Sequence, residues 1–245
     1  MPTVMIHQPE YLPWMNLFFK MALSDVFVFL DTVQYSRRSF QNRNKIKTKL
    51  NAKWLTVPLK YAPRDEIVMK VKIDSSQNWE KQHLNLINDS YNSAAYFKEI
   101  FSLMEPVYAR RQEYLSELNC DLTMKIAEIL GIRTKFIKSS ELSVKGRKSE
   151  LILNICLKLG ARRYISGIGA KAYLDEDKFI KNDIDIIYLP PAKIEYRQVH
   201  PEIGFIPDLS AIDYLFNNGT KDFWIDLRKY MTNCGIEGEF INGNA

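Results

Sequence analysis

The sequence predicts an α/β fold on a mainly parallel sheet, with a mainly helical insertion at about residues 79–130. Three observations lead there. Strand, loop, helix and strand signals follow one another within residues 4–30, the start of a βαβ unit. Residues 79–130 then carry apolar side chains at helical spacing, and strand-like segments return after them. No Pro/Gly/Ser-rich linker or internal repeat interrupts the chain, so residues 1–245 read as a single domain.

Val4-Met5-Ile6 is a short apolar strand ending at His7. Two prolines within residues 7–14 mark a loop, with Pro13 placed for the first turn of the next helix. Leu17, Phe18, Met21 and Ala22 give that helix its apolar face. Val26-Phe27-Val28-Phe29-Leu30 is apolar throughout, as a strand buried on both faces must be, and Asp31 follows it. Trp54-Leu55-Thr56-Val57-Pro58 reads as a strand, and the alternation in residues 68–73 predicts another. Helices fill residues 79–130, with Gly131 as a C-cap. Thr134-Lys135-Phe136-Ile137 restores strand character, and residues 149–159 form a helix closed by Gly160. Arg163-Tyr164-Ile165-Ser166 and Ile184-Asp185-Ile186-Ile187-Tyr188-Leu189 complete the sheet. Residues 195–213 read as largely irregular.

Composition narrows the function classes. With 46% apolar residues the chain can fill a core. Its three cysteines are widely spaced without a CxxC pair, which fits a reducing compartment and argues against a disulfide framework or structural zinc. Residues 1–6 lack the pattern of a signal peptide, and no apolar run approaches the roughly 18 residues that span a bilayer. A cytoplasmic protein with no membrane partner is expected. The net charge of +5 is unevenly spread: residues 36–60 hold eight Lys and Arg and no Asp or Glu, leaving the rest net acidic. Such a block attracts phosphates.

Three groups carry chemistry. Ligands of open α/β sheets collect beyond the carboxyl ends of the strands, where His7 and Asp31 would both stand. His7 is expected to carry protons or bind phosphate, and Asp31 to orient a nucleophile, a sugar hydroxyl or a metal. Gln8, Tyr11 and Trp14 after the first strand, and Gln34 and Tyr35 after the second, would contact substrate. Ser39, Gln41, Asn42, Arg43, Asn44 and Lys45 concentrate amide and guanidinium donors suited to a base, sugar or phosphate. Ser166, Gly167, Gly169 and Lys171 form a glycine-bearing turn after a strand, a second phosphate cradle. No metal-ligand motif stands out, and Glu195, Tyr196, His200, Asp208, Ser210 and Asp213 are polar without any spacing that ranks them.

These residues resemble a known family. His7-Gln8-Pro9, Tyr11-Leu12-Pro13-Trp14, Asp31 with Gln34-Tyr35, Gln41-Asn42-Arg43-Asn44, Ile46-Lys47, Trp54-Leu55-Thr56-Val57-Pro58, Tyr164-Ile165-Ser166-Gly167 and Leu209-Ser210-Ala211-Ile212-Asp213 look like the WbqC-like family. The resemblance spans nearly the whole chain. It implies work in the biosynthesis of O-antigen or another surface polysaccharide, with a glycine-transferase role, and supplies no established catalytic residues. The opening strand, His-containing loop, helix and Asp-terminated strand also resemble the Rossmann-like start of HIGH-type nucleotidyltransferases. There the chain departs, with Gln8-Pro9-Glu10 in place of the second histidine's surroundings.

The expected function is attachment of an amino acid, of glycine type, to the amino group of a nucleotide-linked sugar, by an aminoacyltransferase or an ATP-dependent amide ligase. The partner is then a nucleotide-sugar or nucleotide. ATP with Mg²⁺ is compatible with the scheme without being fixed by it, as is a homodimer. A glycosyltransferase of the same pathway is the first alternative, with Asp175-Glu176-Asp177 and Asp183-Ile184-Asp185 its nearest approach to a DxD metal motif. The second is a non-enzymatic nucleic-acid or anion-binding module. No helix-turn-helix, RRM or zinc-finger signature favours nucleic acid.

Overall fold

The computed structural model describes residues 1–236. Its centre is β1 (Thr3–His7), buried over its whole length except at His7. Strand β2 (Val26–Phe29) is buried at every residue and pairs with it in parallel, Val4 opposite Val26 and His7 opposite Phe29. Period-two alternation sends Val4, Ile6, Val26 and Val28 to one face and Met5, Phe27 and Phe29 to the other. Both faces are covered, which is why neither strand carries polar residues between its ends.

Helix α1 (Met15–Ala22) makes the β1–β2 crossover. It begins after Trp14, so Pro13 precedes the helix and does not fill its first turn. The chain next forms an antiparallel hairpin of β3 (Arg43–Lys47) and β4 (Ala52–Thr56), outside the main sheet. Asn42 therefore precedes a strand that Arg43 and Asn44 begin. Residues 68–73 also differ from expectation. Val68–Lys70 is a 3₁₀ turn, and the backbone bonds of this segment go to loops: Val68 N to Val33 O, Met69 N to Asp31 O, Leu115 N to Val71 O. Alternation alone cannot make a strand where no neighbouring strand supplies partners.

Helices α2 (Trp79–Tyr91), α3 (Phe97–Ala109) and α4 (Leu115–Ile129) occupy residues expected to be helical and share one apolar cluster with α1 and the Phe27–Phe29 face. Strand β5 (Lys135–Lys138) then pairs with β2. Helix α5 (Ser149–Lys158) and the short α6 (Glu176–Ile180) cover the opposite face with Leu151, Ile155 and Phe179. Between them β6 (Arg163–Gly167) pairs with the free side of β1, and β7 (Asp185–Leu189) pairs with β6. The sheet order is β5-β2-β1-β6-β7, parallel throughout. The chain thus builds outward from β1 in one direction, returns, and builds outward in the other. Two helices not expected from the sequence follow: α7 (Ala211–Asn218), capped by Ser210 Oγ, and α8 (Lys221–Asn233). Among the described residues no helix is long and apolar enough to cross a membrane.

Candidate functional site

The reversal of strand order opens a crevice between the carboxyl ends of β1 and β6. His7 ends β1, and Ser166-Gly167 ends β6. Between them lies a cavity of about 250 Å³, lined also by Lys20, Gly169 and Tyr173. Lys20 reaches it from α1, and its Nζ would lie 3.6 Å from a Cβ at position 167. Burial holds Lys20 below the ordinary lysine pKa, partly offset by Glu10. Among the described residues no hydrogen bond or ion pair within 4 Å engages Nζ. Glu10 Oε1 stands 3.2 Å from His7 Nε2 without hydrogen-bond geometry.

Lys20, Gly167 and Gly169 also wall a second cavity of about 190 Å³, shared with Trp14, Asn16, Pro190 and Pro191. Those last four in turn line a third, of about 570 Å³, with Ile194, Tyr196, Phe205 and Asp208. The three adjoin through these shared walls, and the groove is this series, from the crevice to a chamber lined by Trp14, Tyr196 and Phe205. Asn16 clamps residues 190–195 by both amide atoms to Ala192, and the Tyr230 hydroxyl donates to Pro190 O at 2.6 Å.

The sequence missed Lys20 and Asn16. A signal was present: they are the two polar side chains of Met15–Ala22, four residues apart and so on one face of an otherwise apolar helix.

The expected site residues fall into three sets. His7, Trp14, Ser166, Gly167 and Gly169 line the groove. Gln8, Gln41 and Asn44 build the loop that leaves β1. Gln41 Nε2 donates to Gln8 Oε1, and Asn44 Nδ2 donates to Leu12 O at 2.7 Å, holding Leu12 at φ +45°. Asn119 Nδ2 closes the same knot on Gln41 O and Pro9 O. Tyr11 is wholly buried, its hydroxyl 2.8 Å from His83 Nδ1 and 2.7 Å from the Tyr108 hydroxyl, so it presents no wall to a ligand.

The third set lies away from the groove. Asp31, 2% exposed, accepts from the Ser139 hydroxyl, Ser140 N and the Ser140 hydroxyl, joining the ends of β2 and β5. Tyr35 is buried, and the Gln34 amide donates to Arg64 O. Ser39 donates to Ser36 O and Asn42 to Val57 O. Arg43 and Lys45 lie 4.3 and 4.9 Å over the Trp54 ring on the hairpin's outer face. Lys171 Nζ sits 4.9 Å over Tyr188, not beside the glycine turn's cavity. None of these lines the three cavities of the groove. The basic block therefore does not form the floor of the crevice.

Of the late polar residues, Asp213 is fully buried and accepts from Tyr91, Tyr196 and Gln198 at 2.7, 2.6 and 2.9 Å. Burial raises its carboxyl above the usual range, with the three donors and Lys47 opposing. Glu195 and Asp208 line the chamber, and His200 bonds Ser90 O. Among the described residues no group of three His, Cys, Asp or Glu side chains is placed to hold a metal ion.

No solved structure matches this chain. An uncharacterized protein of Mycobacterium tuberculosis is 33% identical over 223 residues, covering 90% of this chain and 96% of that protein. The WbqC-like protein family model matches residues 8–224, which run from the loop leaving β1 through the glycine turn and the chamber into α8. With that span matched, the chain belongs to the WbqC-like protein family.

Proposed function

We propose that the groove holds a nucleotide-linked amino sugar and that the protein transfers an aminoacyl group, of glycine type, onto the sugar's amine. The observation that carries this reading is Lys20: a partly buried ammonium without an ion pair, set against a glycine-lined turn where the strand order reverses. An anionic ligand restores the partner that burial has taken from it. The amides of the 3₁₀ turn Ile168–Ala172 lie beside the same cavity and suit a diphosphate.

His7 lines that cavity from the other side. As the sugar amine attacks the donor's acyl carbonyl, an amide bond forms, the donor's leaving group departs, and the amine proton passes to Glu195 or Asp208, the carboxylates that line the chamber, while His7 holds the ligand's phosphate. Glu10, 3.2 Å away, steadies the imidazolium. Asp31 acts at a distance, by fixing the sheet edge through Ser139 and Ser140.

Calorimetry with UDP, dTDP, ATP and UDP- or dTDP-amino sugars tests this. Wild-type protein is expected to bind the nucleotide-sugars, and Lys20→Ala to lose at least tenfold in affinity, about 1.4 kcal/mol or more. Absence of binding by every one of these ligands defeats the proposal. Mass spectrometry of the sugar product reports glycyl transfer, and AMP release in the same mixture marks the ligase route.

A second reading rests on a different observation. On the hairpin, exposed Phe40 and Trp54 lie 5.9 Å apart, with Arg43 and Lys45 over the indole. Cations interleaved with exposed aromatics suit a polyanion with planar bases. Steeply salt-dependent retention on heparin or single-stranded DNA, lost in Trp54→Ala, would favour it. The glycosyltransferase alternative has less support: Asp175 pairs with Lys178 and Glu176 accepts from Tyr188, outside the groove.

A further inference from the structure

We infer that the 570 Å³ chamber is a saccharide subsite, holding the pyranose ring of the ligand whose phosphate lies on Lys20; this rests on the nucleotide-sugar reading above. The first ground is continuity. Lys20, Gly167 and Gly169 belong to both inner cavities, and Trp14, Asn16, Pro190 and Pro191 to both outer ones. The cavity at the ammonium thus shares walls with the middle one, and the middle one with the chamber, the order in which a phosphate and the sugar it carries would lie.

The second ground is the wall. Trp14, Tyr196 and Phe205 line the chamber, and Tyr196 meets Phe205 edge-on at 5.4 Å and 86°. Tyr196 cannot swing away. Its hydroxyl donates to the buried Asp213 at 2.6 Å, and its ring rests against Tyr214 at 5.0 Å. Phe205 remains 39% exposed. The chamber therefore offers a fixed aromatic surface with nothing of the described chain lying on it.

The third ground is the rim. Lys193, Glu195 and Asp208 line the chamber with no ion pair or side-chain hydrogen bond among the described residues. A fatty chain would strip water from these charges and return nothing. A pyranose matches both parts, with its C–H face on the aromatics and its edge of hydroxyls toward the charges. The two carboxylates outnumber Lys193 and accept from an ammonium, which selects an amino sugar over an acidic one. The segment 190–195, tied by Asn16 and Tyr230, is then the roof over the sugar.

The test compares UDP, UDP-glucosamine and free glucosamine by calorimetry, with the dTDP pair alongside. Wild-type protein is expected to bind the nucleotide-sugar about tenfold more tightly than the nucleotide. Phe205→Ala should bring the nucleotide-sugar down to the nucleotide's affinity and leave the nucleotide unchanged. Glu195→Gln with Asp208→Asn, both exposed, should do the same, and serves if the first variant fails to fold. Equal binding of nucleotide and nucleotide-sugar by wild-type protein overturns the subsite while leaving the Lys20 reading intact. So does a variant that weakens both ligands equally. No binding of any nucleotide sinks the underlying reading, and the subsite with it.

Discussion

His83 packs against Trp79 and Tyr11 and shares a hydrogen bond with the Tyr11 hydroxyl, and burial lowers its pKa from 6.5 to about 4. The folded protein therefore refuses a proton that the unfolded chain accepts between those values. Stability should fall as pH drops through that window, by about 2 kcal/mol from this group by pH 5. Denaturant titrations at pH 7 and pH 5 check this, and His83→Gln should flatten the difference. Asn44→Ala removes a buried donor to Leu12 O, and about 1–2 kcal/mol of stability is expected to go with it. At this scale the sequence was only half legible. Residue type and strand-end position put His7 and the glycine turn at the carboxyl edge of the sheet, where the structure has them. They did not separate amides that bind a ligand from amides that tie a loop, because Gln41 and Asn44 have the same chemistry in either use. Asp31 illustrates the point: its partners, Ser139 and Ser140, lie more than a hundred residues away and no local pattern joins them.

Helix ends offer a sharper comparison. Gly160 and Gly219 both follow helices at positive φ, +63° and +69°. A Cβ at Gly160 meets nothing within 4 Å, whereas one at Gly219 falls 2.8 Å from the Tyr96 ring. Gly160→Ala should cost about 1 kcal/mol from backbone strain alone, and Gly219→Ala distinctly more, on the order of 2 kcal/mol or above. Thermal unfolding of the two variants separates them. Gly160 was read as a helix stop from sequence. Gly219 was not, because α7 and α8 follow a long irregular segment and their amphipathic pattern was passed over. Strands read best where every residue is apolar, as in Val26–Phe29. Residues 68–73 misled because alternation reports which side chains are buried, not whether a partner strand exists. Met15–Ala22 shows the reverse omission, an apolar helix whose two polar residues pointed to the groove.

Across the whole molecule, charge and topology are separated. Most basic residues of 36–60 lie on the hairpin, while in the proposed reading the groove holds its ligand with Lys20 and backbone amides. Raising salt should therefore weaken heparin retention steeply and nucleotide-sugar affinity mildly, since a partly enclosed ammonium is poorly screened. Parallel slopes for the two would mean that the hairpin takes part in the groove's ligand binding. The parallel sheet was foreseeable from the apolar strands, but the order β5-β2-β1-β6-β7 was not, and that order places the crevice. It also sets a sequence of events during translation. β2 follows β1 from the ribosome closely and can dock on one side of it, but β6 emerges only after the hairpin, helices α2 to α4 and α5. At ~5–20 residues per second, the other edge of the central strand waits roughly ten seconds or longer for its partner. Through that interval it is a naked row of amides and carbonyls within apolar surroundings, the kind of template on which nascent chains stick to one another. Ribosome-bound chains halted before Arg163 should therefore recruit holdase chaperones that chains halted beyond Leu189 release.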